Sequence, residues 1–429
     1  KTLVQGSEDS AMKRVACLVA CLILQVAVGI GSSNFLGSQK DHALMAEPEP
    51  IAEAAPNKPT KPLFGPEAYV LGIIAPGSFL LGFGAVVALR YHERYNPSSD
   101  GEVVERQPEN LDEDVYGSGV ATLVRDSFSL VDGKGDLALR ISRLSSSLLL
   151  MVFVIALQVF VILQMQSLVA SRAVTEIRQI YGRYEYVMYG AEMSHVYLTP
   201  NGFPRGLDKQ YFDPSNFGRL TEDEQASACR IPFSQPQLLL PILFLWTLTI
   251  IADLRRCGDL FVRLILATPT ITSMRDAVVE SDGECEIIVG LTRPLKALLM
   301  STCILPRYFI DVYLLWLGCR WLAATPSFGD LLLNAVALEF ILLLKDTLYA
   351  GVVPDRNKRA TQNTLIQPWQ KTEPANYRVF LSSFLLILAT VAWVLYYVYR
   401  FQAVLPDYKW DVAKVCASYV KAITSGKSS

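Results

Sequence analysis

Six stretches of this chain are apolar over roughly the length a helix needs to cross a bilayer, and that constrains the fold more than any other feature. About 20 consecutive apolar residues cover the hydrocarbon core. The stretches are 69–89, 146–170, the shorter 238–252, 295–324, 328–353 and 379–399. The fourth contains Pro306, which predicts either one kinked helix or an interfacial piece followed by a span. The segment 260–267 is apolar but too short to cross, and reads as an amphipathic helix on the membrane surface. The expected fold class is all-α: a polytopic integral membrane protein of about six helices, with the lipid bilayer as its first partner.

Composition agrees. The chain is 51% hydrophobic and 19% charged, against about 25% charged in soluble domains. A net charge of -2 implies no basic surface for nucleic acid. Three separated histidines, His42, His92 and His195, argue against a metal site, and no cofactor is expected.

The N-terminal region has its own pattern. Residues 1–11 look like leader ahead of Met12. Met12-Lys13-Arg14 then precede the apolar run 15–30, with Ala27-Val28-Gly29 as a cleavage site. That is the form of a secretory signal, and an uncleaved anchor helix is the alternative. The Pro-rich stretch 31–68 is expected to be disordered. Acidic residues soon after the apolar run argue against an ordinary plastid transit segment.

Lys and Arg near span ends set the expected orientation. Arg90, Arg94, Arg140 and Arg143, then Arg255, Arg256 and Arg263, then Arg356, Lys358 and Arg359 fall on one side if six helices alternate. That side is expected to be cytosolic. The 171–236 connection and the tail 401–429 are then outside, although Arg172, Arg178 and Arg183 oppose this. Cys229 and Cys416 are the outer cysteines, and an oxidising compartment would favour a bond between them, with free thiols as the alternative. The Tyr-rich 171–236 connection reads as a small extracytosolic cap, or as an interfacial segment with its tyrosines at headgroup depth. The acidic connection 91–145 reads as a solvated loop.

Charges inside the apolar runs are the candidate functional residues, because each costs roughly 2.5–3.5 kcal/mol at mid-bilayer on insertion scales. They are Arg307, Asp311 and Arg320 in the fourth run, and Asp330, Glu339, Lys345 and Asp346 in the fifth. The short turn at Thr325–Pro326 predicts an antiparallel pair. Counted from it, Arg320 and Asp330 share one level, and Arg307 and Lys345 another. Asp311 and Glu339 share a third, roughly 21 Å deep. Helical phase prevents the outer charges and the deep acids from both facing inward. Arg307 and Asp311 are four apart and can pair. Glu339 has three readings: a helix-pairing anchor, a protonated carboxyl, or a lining group of a cation path.

The segment LWLGCRWLAATPSFGDLLLNAVALEFILLLKDTLYAGVVPDRNKRATQNTL, 315–365, resembles a stretch found in uncharacterised multi-pass membrane proteins of dinoflagellate algae. The resemblance covers about an eighth of the chain. It implies an algal membrane protein with a shared two-helix module, opens a plastid membrane beside the secretory pathway and cell surface, and carries no substrate.

No arginine-repeat voltage sensor, TVGYG-like filter, Walker loop, HExxH, GxSxG or inverted repeat is visible. An enzyme is therefore the weakest class. Two functions remain. The first is channel- or transporter-like ion translocation through intramembrane carboxylates. The second is a non-catalytic subunit of a larger membrane complex, and a homo-oligomer fits either.

Overall fold

The computed structural model describes residues 108–132, 136–199, 201–280, 285–366 and 377–424. The signal-like segment, the Pro-rich stretch and the first apolar run lie outside the described residues.

Helices dominate, and four are long and apolar enough to cross a membrane: Leu137–Met188, Pro236–Ala267, Arg293–Ala324 and Ser383–Phe401. The first joins α2 (Leu137–Gln164) through a π turn, Met165–Ala170, to α3 (Ser171–Met188). At 1.5 Å per residue, 52 residues make a rod of about 78 Å, far more than the roughly 30 Å hydrocarbon core. Its apolar part is α2. Arg172, Glu176, Arg178, Arg183 and Glu185 mark α3 as the part that projects beyond.

The second long helix is α5 (Pro236–Phe261) with its π extension Val262–Ala267. The segment read from the sequence as a separate surface helix is this extension. The third runs from α6 (Arg293–Leu299) through the π turn Met300–Ile304 into α7 (Leu305–Ala324). The interruption has a local cause. Pro306 has no N–H to return to the carbonyl of Thr302, so the chain closes a wider turn, with Leu305 N–H reaching Met300 O. The fourth is the later part of α10 (Tyr377–Tyr396) with its π end Tyr397–Phe401.

Between α7 and α10 lies α8 (Phe328–Val352), 25 residues long. It carries too many charges to meet the same criterion, yet Leu332, Leu333, Val336, Phe340 and Leu343 are exposed along it. The α5–α7 crossing is close. At Gly318 an added Cβ would sit 2.3 Å from Trp246 Nε1, so only glycine lets the two helices meet there.

The two ends of the bundle differ, and both carry strands that an all-α expectation omits. At one end α1 (Val115–Asp132) lies along α2 and near α9 (Asp355–Gln362). Beside them is a four-stranded sheet of β1 (Glu109–Asn110), β6 (Thr364–Ile366), β5 (Glu286–Ile288) and β4 (Val278–Glu280), in that order. The β5–β6 pair is parallel and the others antiparallel. Arg125 on α1 pairs with Glu286 on β5 at 3.0 Å. At the other end α3, α4 (Glu222–Arg230), α11 (Val412–Thr424) and the β2–β3 hairpin (Val196–Leu198, Pro204–Gly206) form a cap. A disulfide joins Cys229 of α4 to Cys416 of α11, closing 187 residues of chain.

Candidate functional site

The buried face of α5 repeats Leu243, Trp246, Ile250, Leu254 and Cys257, and Asp253 falls on it. An acid in that phase must meet a cation. It meets two: Arg307 Nη2 of α7 lies 2.8 Å from Asp253 Oδ1, and Lys345 Nζ of α8 bonds Oδ2. Arg307 and Lys345, set at one level by counting from the hairpin turn, thus converge on one carboxylate. All three are buried.

Arg307 also faces the sheet end. Its Nη1 lies 3.1 Å from Asp114 Oδ2 and 3.8 Å from Asp112 Oδ2, and its guanidinium stands 5.6 Å from the Tyr116 ring centre. Asp114 serves two elements, because its Oδ1 accepts Gly117 N–H at 2.7 Å and caps α1. The turn admits no side chain at Gly117, where a Cβ would lie 2.0 Å from Asp112 O. Asp112 is partly open to solvent. Burial first, and then the charge of Asp114, push its carboxyl pKa up, against the pull of Arg307.

Asp311 sits one turn from Arg307 on α7, also buried, within electrostatic reach of Asp253, Lys345 and Arg307. Its Oδ2 has no hydrogen-bond partner. The i,i+4 pairing with Arg307 does not form; the guanidinium is turned toward Asp253 and Asp114. The buried cluster therefore holds three carboxylates, Asp114, Asp253 and Asp311, against two cations. Desolvated charge is tolerated only when paired, so a surplus carboxylate at this depth calls for a neutralising proton or cation.

The remaining intramembrane charges are elsewhere. Arg320 lies over the Trp316 ring at 5.4 Å, and Asp330 is exposed in the first turn of α8; no ion pair joins them among the described residues. Asp346 is half-buried. Glu339 is exposed, on the same apolar face as Val336 and Phe340, whereas Lys345 is on the buried face with Leu338 and Leu342. Asp311 and Glu339 share a level by count but not an environment.

Gln158 of α2 closes the cluster's neighbourhood, with its Nε2 donating to Ile341 O at 3.3 Å and the Tyr116 hydroxyl 3.5 Å from its Oε1. Among the described residues no group of His, Cys, Asp and Glu is placed to hold a metal ion. No protein-family model, no curated protein and no solved structure matches the chain.

Proposed function

We propose that this is a polytopic membrane protein that moves protons, with the Asp311–Asp253 pair as the intramembrane binding element. The observation that supports it is the charge count. Three buried carboxylates face two buried cations, and one oxygen of Asp311 has no partner. A carboxylate lodged beside Arg307 and Lys345 binds a proton without needing the oxygen cage that a metal cation requires. In this reading α8 is a fifth span. The cap end, which carries the Cys229–Cys416 bond, faces the oxidising compartment, and the sheet end faces the cytosol. The test is the purified chain in sealed vesicles under an imposed pH gradient, read by an internal pH-sensitive dye. Asp311→Asn should abolish the flux while the chain still runs as a single species in detergent. Flux equal to that of the unaltered chain would sink the reading.

A second reading, a subunit of a larger membrane assembly, is supported by Glu339. A carboxylate on an apolar helix face is costly against lipid and acceptable against another protein. Native mass in mild detergent tests it: a defined assembly that Glu339→Leu disperses supports it, and a monomer in both cases removes it.

A further inference from the structure

A second cluster of buried ionisable groups lies in the cap, away from the Asp253 network and independent of the transport reading. The segment 402–411 leaves the end of α10 and crosses α3 as a strap. Arg178 donates to the carbonyls of Val404 and Ala403, both at 2.8 Å. The Tyr197 hydroxyl of β2 donates to Asp407 at 2.9 Å. Asp407 and Trp410 hold left-handed φ values of 57° and 59°, a conformation that L side chains adopt at a cost. The strap is thus bent to fit α3, and its contacts must hold it there.

The central contact is Tyr181. Its hydroxyl lies 2.9 Å from Glu185 Oε1 and 3.1 Å from Asp411 Oδ1, while the Lys409 backbone N–H approaches it at 3.4 Å. A phenol has one proton, so it can donate to one carboxylate but not to both. With both acids ionised, the second oxygen–oxygen contact would set two lone pairs against each other. With one acid protonated, the phenol donates to one carboxyl and accepts from the other, and both distances are ordinary hydrogen bonds.

The surrounding charges do not resolve the shortage. Arg205 of β3 is fully buried, but it donates to the carbonyls of Pro406 and Pro204 and stands 4.0 Å from Glu185 Oε2. Lys409 Nζ is bound to Gly206 O and to the Tyr189 hydroxyl. Asp411 forms no ion pair among the described residues. Its Oδ1 also accepts Val412 N–H, and its Oδ2 is buried without a partner. The other titratable groups within electrostatic reach of both acids are the phenols of Tyr184, Tyr189 and Tyr408, and the Tyr197 phenol is within reach of Glu185.

We propose that Glu185, Tyr181 and Asp411 bind one shared proton, and that this proton fastens the 402–411 strap to α3, making the cap a pH-sensitive clasp. Burial raises the Asp411 carboxyl above its ordinary value, in the same direction. The sign follows. An acid whose folded pKa is raised contributes stability that is complete below its unfolded value of about 4 and is lost as pH rises through the folded value. The clasp tightens in acid and loosens toward alkaline pH.

The test is hydrogen exchange of the strap amides in the full-length chain in detergent, at several pH values from 5 to 8 and corrected for intrinsic rates. Protection in the unaltered chain should fall on raising the pH, about tenfold for each unit of raised pKa. Asp411→Asn should flatten the dependence, because its amide donates to Tyr181 at every pH. A flat profile in the unaltered chain, or an undiminished slope in Asp411→Asn, would overturn the proposal. Should that variant misfold, Glu185→Gln replaces it: its amide can supply the same proton to the phenol, so a flattened pH dependence supports the clasp and an undiminished slope refutes it.

Discussion

Arg307 is one cation in contact with three carboxylates, at 2.8, 3.1 and 3.8 Å. Removing it leaves Asp114 and Asp253 buried and underpaired, a change that typically costs about 3–5 kcal/mol. Lys345 has Asp253 as its ion-pair partner, and Asp253 would keep Arg307. Arg307→Met should therefore lower the thermal midpoint in detergent clearly more than Lys345→Met does, and the reverse order would contradict the network as described. Much of this site was legible in the sequence and part was not. Arg307, Lys345 and Asp311 stand out as charges inside apolar runs, and counting from the hairpin turn set the first two at one level. The apolar run that marks the third span ends at Ala252 and so leaves Asp253 out. The buried phase Trp246, Ile250, Asp253 and Cys257 was the signal that would have found it. Asp114 carried no such signal. It sits among acids that read as a solvated loop, and its partner lies nearly two hundred residues away. Depth in the apolar run leaves Glu339 with three readings, anchor, protonated carboxyl or path lining, because which face of α8 turns inward is set by packing that the pattern LEFILLLK leaves ambiguous.

At the level of elements, the α5–α7 crossing depends on one missing side chain. Gly318→Ala would drive a methyl into the Trp246 indole, and such overpacking costs typically 1–3 kcal/mol. Trp246→Phe should recover part of that loss, so a double-mutant cycle should give a coupling that favours the pair. Additive effects would mean that the helices do not meet there. The long helices were readable from apolar run length, the simplest of all signals. The short strands were not. Strands of two or three residues carry almost no periodicity, and β1, β5 and β6 come from three distant connections, so only tertiary assembly brings them to one sheet. The tyrosines of the 171–236 connection argue against disorder but leave a folded cap and an interfacial segment equally open. That the connection begins by continuing α2 was hidden by the change from apolar to charged residues at 171.

For the whole molecule, the two ends have different chemistry. The cap end has its cysteines tied, and the sheet end offers the half-buried thiol of Cys285, while Cys257, Cys303 and Cys319 are buried in the bundle. A membrane-impermeant thiol reagent should modify the chain at Cys285 in vesicles with the sheet end outward. The difference from a Cys285→Ser variant should vanish in vesicles of opposite orientation. Labelling at Cys285 from the same face that exposes the cap would contradict the placement of the two ends on opposite faces.

The rod from Leu137 to Met188 has a mechanical consequence. A single helix that begins beside α1 and ends inside the cap has the form of a lever whose apolar part is long enough to cross a bilayer. At about 78 Å, a tilt of about 5° about a point near its middle moves the two ends by about 3–4 Å in opposite directions. Its weak point is the π turn Met165–Ala170, braced where the Tyr313 hydroxyl of α7 bonds Gln166. Cutting that brace would leave the two arms free to bend separately at the π turn.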